Sequence, residues 1–87
     1  MTLSFPNQSR SYDATRHAVR FWGHDSAMEA SFFVNADALK RIKPDMAFDE
    51  VGLLGAFDLN RKLIYATATK VYDRQRRGSY ELMAADF

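Results

Sequence analysis

Two short runs of alternating apolar and polar residues, followed by a stretch whose apolar period lengthens to that of a helix, constrain the fold of this chain most. From Thr15 to Trp22, His17, Val19 and Phe21 point one way while Arg16, Ala18, Arg20 and Trp22 point the other. Met28 to Val34 repeats the pattern, with Met28, Ala30, Phe32 and Val34 on one face and Glu29, Ser31 and Phe33 on the other. Gly23-His24-Asp25-Ser26 lies between the runs and supplies a turn, so the two are expected to pair as an antiparallel hairpin.

Asn35 is a good N-cap, because its side-chain carbonyl can accept an orphan amide of the next turn, and Asp37 then sits at the positive end of a short helix over 36–42, stopped by Pro44. Asp45 is expected to cap a second helix, with Asp49 and Glu50 in its first turns and Phe48, Val51, Leu54 and Phe57 forming its buried stripe. Gly52 and Gly55 weaken that helix by about 1 kcal/mol each relative to Ala, and they share a side on which a neighbour can approach closely. From Asp58 to Gln75 the positions Leu63, Ile64, Ala68 and Val71 keep a helical period among Lys62, Lys70, Arg74 and Arg77. The pattern leaves open whether Asp58 begins a new helix or lies inside one kinked helix.

Arg76-Arg77-Gly78 suits a helix end, and Tyr80 to Ala85 alternates again and returns to the sheet. Before the hairpin, the first dozen residues, Met1 to Tyr12, favour turns through Pro6, Asn7 and their hydroxyl and amide neighbours, with Leu3 and Phe5 as a short edge strand. The order strand, strand, helices, strand predicts an α+β fold in two layers: an antiparallel sheet of three or four strands with two or three helices packed on one face. The 87 residues make one domain, since a chain this short buries only a little over about 60% of its unfolded surface.

At 47% hydrophobic and 26% charged, the composition belongs to a folded protein and not to a disordered one. Cysteine is absent, which removes disulfides, thiolate metal sites and cysteine nucleophiles together. Met1 to Pro6 shows no basic region leading into an apolar run, and no stretch approaches the eighteen or so apolar residues of a membrane span. The expected setting is cytoplasmic, with no membrane association.

Five segments together resemble a known family. They are Ser9-Arg10-Ser11-Tyr12-Asp13, the strand ending Val19-Arg20-Phe21-Trp22, Ala56-Phe57-Asp58-Leu59-Asn60-Arg61, Lys70-Val71-Tyr72 and Ala84-Ala85-Asp86-Phe87. The chain resembles the family called domain of unknown function 1488, from Leu3 onward. That resemblance implies a small bacterial stand-alone protein with an α+β fold. The family has no assigned active site, so it carries no functional residue across.

Two surfaces stand out as candidates for function. Six of the twelve Lys and Arg residues lie between Arg61 and Arg77, namely Arg61, Lys62, Lys70, Arg74, Arg76 and Arg77, against Asp73 alone. Lys70, Arg74 and Arg77 share a helix face and can straddle phosphates, which would suit nucleic acid. Long basic side chains are also the ordinary covering of an exposed helix, and Arg74 can pair with neighbouring Asp73 or Asp58. The other candidate is the far face of the sheet. If Val19, Phe21, Phe32, Val34 and Leu82 face the helices, Ala18, Trp22, Phe33 and Met83 point outward beside Arg20, Glu29 and Glu81. An exposed Trp22, Phe33 and Met83 patch suits a partner or a second copy of the chain, unless Leu3, Phe5 and Tyr12 fold over it.

No catalytic or cofactor pattern emerges. His17, placed mid-strand, and His24, placed in a turn, lack the ligand spacing zinc needs, even with Asp13 or Asp25 nearby. His24-Asp25-Ser26 holds triad residue types too close in sequence to aim at one another. Gly52-Leu53-Leu54-Gly55 lacks the lysine of a phosphate loop. Helix-start positions account for Asp49, Glu50 and Asp58. The four tyrosines read as boundary residues and not as base-stacking platforms. The sequence therefore points to a non-enzymatic, cofactor-free interaction or accessory module that self-associates through Trp22, Phe33 and Met83, with nucleic-acid binding by the basic helix as the alternative.

Overall fold

A computed structural model describes residues 3–6, 9–74 and 79–87. Along the chain run β1 (Leu3–Ser4), β2 (Arg10–Asp13), β3 (Ala18–Asp25), β4 (Met28–Asn35), α1 (Ala36–Ile42), α2 (Glu50–Leu59), α3 (Arg61–Arg74), β5 (Ser79–Leu82) and a closing 3-10 turn at Ala84–Asp86.

β3 and β4 form the hairpin that the alternation predicts, with Val19 opposite Val34 and Phe21 opposite Phe32. The turn lies later than expected. β3 continues to Asp25, which pairs with Met28, so only Ser26 and Ala27 remain in the loop and Ser26 takes a φ of 56°. Gly23 is thus a strand residue, where an added Cβ would lie 2.9 Å from Cε1 of Phe5; its bareness lets the N-terminal segment close over the helix side of the sheet. The histidines exchange settings. His17 lies in the turn before β3 with a φ of 53°, its carbonyl accepting the Ala36 amide at 3.0 Å, while His24 is in the strand.

β1 and β2 pair with β3 one after the other along the same edge, so five strands fill four ranks in the order β1/β2, β3, β4, β5. β2 stands where the last of the turns expected over Met1 to Tyr12 would lie: Tyr12, opposite Val19, packs against the core, and that burial outweighs the local preference of its polar neighbours. β5 runs parallel to β4, because the three intervening helices return the chain to the end from which β4 set out. The sheet is otherwise antiparallel.

Val19, Phe21, Phe32, Val34 and Leu82 are all buried against Leu39, Leu53, Phe57, Ile64 and Ala68 of the helices. Phe21 stacks on Phe32 at 5.3 Å and Phe32 on Tyr80 at 5.0 Å. Each such side chain contributes roughly 1.5–3 kcal/mol through burial. Phe5 lies on this side too, stacked on Tyr65 at 4.1 Å.

Asn35 caps α1 as expected, its Oδ1 accepting the Ala38 amide at 2.8 Å. The cap of α2 moves from Asp45 to Asp49, whose carboxylate accepts the Gly52 amide at 2.8 Å, while Asp45 accepts from Lys43. A Cβ on Gly52 would stand 1.9 Å from the Ala47 carbonyl oxygen, so the segment before the helix folds tightly against its first turn and delays its start. The buried stripe rotates accordingly to Leu53, Ala56 and Phe57, leaving Phe48 and Val51 in solvent. Asn60 settles the junction with α3: its amide donates to Phe57 at 3.1 Å and its Nδ2 to the Ala56 carbonyl at 2.9 Å, so two helices meet at one intervening residue.

Candidate interaction surfaces

The alternation of β3 and β4 sends Arg20, Trp22, Ser31 and Phe33 to the far face of the sheet. Phe33 nevertheless keeps only 7% of its surface exposed. The Arg16 guanidinium lies 4.1 Å above its ring, and that of Arg20 lies 5.5 Å from it and 4.9 Å from Trp22. Arg20 also donates from Nη2 to Ser31 Oγ at 3.1 Å. These flat cations, together with the strands, cover Phe33 on a face expected to show bare aromatic surface. Trp22 is half-buried, and Met83, just past β5, is 52% exposed. Leu3, Phe5 and Tyr12 do not provide the cover, since they pack on the helix side. Covering Phe33 has a cost: Arg20 Nε is buried without a hydrogen-bond partner among the described residues, an arrangement that forfeits its hydration.

The basic residues of α3 divide into two kinds. Lys62, Lys70 and Arg74 are exposed, with Lys70 and Arg74 one turn apart and Arg74 3.7 Å from Asp86. Arg61 is committed: Nη2 donates to Asp58 Oδ1 at 2.9 Å, Nη1 to the Tyr65 hydroxyl at 2.7 Å, and its Cζ lies 4.9 Å from the Phe57 ring centre. Arg76 and Arg77 lie outside the described residues.

Asp58 is gripped from two sides, because Arg10 of β2 donates from Nε at 3.1 Å and from Nη2 at 2.8 Å. The Arg10 hydrogen bonds, with Arg61 in support, hold the Asp58 carboxyl below its ordinary range, and Asp58 in turn raises the Arg10 guanidinium. Asp58 is the last residue but one of α2, so this ion-pair cluster, and not a helix start, accounts for it. With Ser9 these residues line an open depression of about 530 Å³. The pairing was hidden in sequence because its members lie 48 positions apart; the only hint is that they fall in two of the segments carrying the family resemblance.

A second surface emerges that the expected stripe of α2 had concealed. Val51 is 81% exposed, Leu59 73% and Leu63 46%, with exposed Gly55 between the first two. Residues 51, 55, 59 and 63 recur every four positions, the spacing that places side chains above one another along a helix. The row continues over the α2–α3 junction and is flanked by Lys62 and Asp58. Gly55 differs from Gly52: a Cβ there would meet nothing within 4 Å.

The remaining candidates do not assemble. Asp25 turns toward the helices, accepting from the Tyr72 hydroxyl at 2.8 Å, while His24, on the opposite face, lies 3.8 Å from Glu29. No group of three or more His, Cys, Asp or Glu able to hold a metal occurs among the described residues. Asp49 and Glu50 sit at the start of α2, apart from the Asp58 cluster. A second open depression, of about 210 Å³, is lined by Arg16, His17, Asn35, Asp37, Phe48 and Glu81. No described helix is long and apolar enough to cross a membrane.

Comparison with known proteins agrees with this architecture. The model of the family described as "Protein of unknown function (DUF1488)" matches residues 3–83. The crystal structure, at 1.60 Å resolution, of a protein of unknown function from that family in Shewanella loihica PV-4 superposes with a TM-score of 0.80 at 17% identity, over 92% of this chain and 90% of the other. At that identity the likeness speaks to the fold. A search of curated proteins found no match.

Proposed function

This chain belongs to the DUF1488 family, whose function is unknown, and from that premise we propose that it is a non-enzymatic protein-interaction module that associates with itself. The observation that carries the reading is the row of Val51, Leu59 and Leu63 on the outside of the helical layer. Single exposed aliphatic residues are ordinary on a protein surface, but a continuous row set among charges marks a surface made to be covered. Both depressions are open, and Arg10, Asp58 and Arg61 in the first and Arg16 and Asn35 in the second are already engaged in ion pairs or a cap, which favours binding over chemistry.

The experiment is molar mass by size exclusion with light scattering, over a range of concentrations and with a short DNA duplex at low salt. A concentration-dependent dimer that ignores the duplex is the expected result. A monomer at every concentration overturns the proposal. A second reading is favoured by Lys62 and Lys70, which are exposed and have no ion-pair partner among the described residues: a nucleic-acid surface formed by Arg61, Lys62, Lys70 and Arg74, extended by Arg76 and Arg77. It predicts retention on heparin that falls steeply with salt and is lost in Lys70→Ala with Arg74→Ala.

A further inference from the structure

We infer that the depression where β2 meets the α2–α3 junction binds a phosphate group carried by a small molecule, held by the guanidiniums of Arg10 and Arg61. The inference goes beyond the self-association proposed above and does not depend on it. Three observations carry it.

The first is an unmatched charge in a concave place. The lining of Ser9, Arg10, Asp58 and Arg61 holds two guanidiniums and one carboxylate, +2 against −1, which leaves +1. No other carboxylate lines it among the described residues. Both arginines are partly buried, and a charge withdrawn from water is screened less than the same charge on an open surface.

The second is that the guanidiniums are already in place. Asp58, the Tyr65 hydroxyl and the face of Phe57 fix Arg61, and two hydrogen bonds to Asp58 fix Arg10. They reach one carboxylate from different layers, Arg10 from the sheet edge and Arg61 from α3. Asp58 is therefore a positioning residue: kept ionised by the two arginines, it holds together like charges that would otherwise separate. A ligand then has little side-chain freedom to remove.

The third is the set of donors that remains. Arg10 gives Asp58 its Nε and Nη2, the edge that matches a planar carboxylate, and its Nη1 makes no hydrogen bond among the described residues. Ser9 adds a hydroxyl to the wall. A phosphate monoester brings up to two charges and three tetrahedral oxygens, so it can meet donors that arrive from two sides, whereas a second carboxylate offers two oxygens in one plane. At about 530 Å³ the depression is far larger than a phosphate ion and falls within the range of small-molecule sites, so the phosphate is expected on an organic body.

The experiment is a titration of the full chain with phenyl phosphate, read by nitrogen–proton correlation NMR of the backbone amides and the arginine Nε–H groups. Saturable shifts centred on Ser9, Arg10, Asp58 and Arg61, with a dissociation constant below about 1 mM, are expected. Benzoate and phenyl sulfate, with one charge each, should bind about tenfold more weakly. Arg10→Gln should weaken phenyl phosphate by about tenfold or more, whereas Lys40→Gln, an equal change of charge at an exposed position of α1, should leave it within about twofold. Arg10→Lys keeps the charge and loses the planar fork, so it should weaken binding several-fold. Arg10 is partly exposed at the sheet edge, and an unchanged circular dichroism spectrum confirms that its variants are folded. Shifts that do not saturate by about 10 mM, shifts centred on Lys70 and Arg74, or equal affinities in Arg10→Gln and Lys40→Gln overturn the site. Inorganic phosphate binding as tightly as the ester overturns the organic body and leaves a site for free phosphate.

Discussion

The far face of the sheet and the outer face of the helices both place large apolar side chains outward, yet they finish differently. On the sheet, neighbouring strands lie about 4.8 Å apart, so arginines on the same face lie flat over the rings beside them. Arg16 and Arg20 do this over Phe33 and Trp22, and the weakly hydrated guanidinium plane can give up water on its flat side at little cost. On the helices, the charged neighbours of Leu59 and Leu63 are Asp58 and Lys62. Asp58 turns away to Arg10 and Arg61, and a lysine ammonium stays in water. The outward direction of an apolar residue thus decides little by itself; what flanks it determines whether it becomes core or contact surface.

The largest effect that can break this comparison is on stability. Phe33→Ala should cost about 3 kcal/mol in urea unfolding, as a core residue would, while Leu59→Ser stays within about 0.5 kcal/mol. A loss at Phe33 below about 1 kcal/mol would mean that its arginine cover is not structural. The next effect is on association and reverses the ranking. Leu59→Ser should abolish the dimer in light scattering and Trp22→Ser should leave it intact; the opposite outcome would return the interface to the Trp22, Phe33 and Met83 face.

Much of the fold was legible in the sequence for a physical reason. The period-two runs of β3 and β4 and the caps at Asn35 and at the start of α2 are local patterns, although the α2 cap fell at Asp49 and not at Asp45. The errors came where distant groups decide. Tyr12 makes β2 a strand by packing on a core assembled far along the chain, and the parallel course of β5 follows from three helices of connection. Val51 was misplaced because apolar periodicity cannot say which of two stripes on a helix faces inward once the cap moves. Arg16 over Phe33 was invisible for a further reason: the turn holding His17 at positive φ brings Arg16 back over the sheet, whereas strict alternation puts it on that face but four residues along the strand from Arg20, the residue paired with Phe33.

A smaller effect tests how the two layers are joined. Arg10 on the sheet edge and Arg61 on α3 meet at Asp58, and this pairing depresses the Asp58 carboxyl. Since its folded value lies below that of the unfolded chain, near 3.9, the stabilisation is fully present above about pH 4 and is lost as pH falls through the folded value. Asp58→Asn should therefore match the parent at the acid end and lose the contribution in the neutral region, a modest loss because the group is partly exposed, so that the acid side of its stability profile is flatter. An acid limb as steep as the parent's would assign acid sensitivity to other carboxylates.

The smallest effect is also the most discriminating, because its sign should depend on concentration. In dilute protein Gly55→Ala removes the entropy cost of a helical glycine and adds a methyl group that touches nothing, so it should stabilise the chain by about 0.5–1 kcal/mol and raise the thermal midpoint by a few degrees. In concentrated protein the same methyl group adds to the row of Val51, Leu59 and Leu63 that the proposed self-association would cover, and it should weaken the dimer by several-fold in light scattering. The parent's midpoint rises with concentration as the dimer forms, and the variant's should rise less, so the two melting curves converge. A constant advantage for Gly55→Ala at all concentrations, with the dimer unimpaired, would place the closest approach elsewhere on the row, because a glycine buried between two copies cannot gain a side chain without moving one of them.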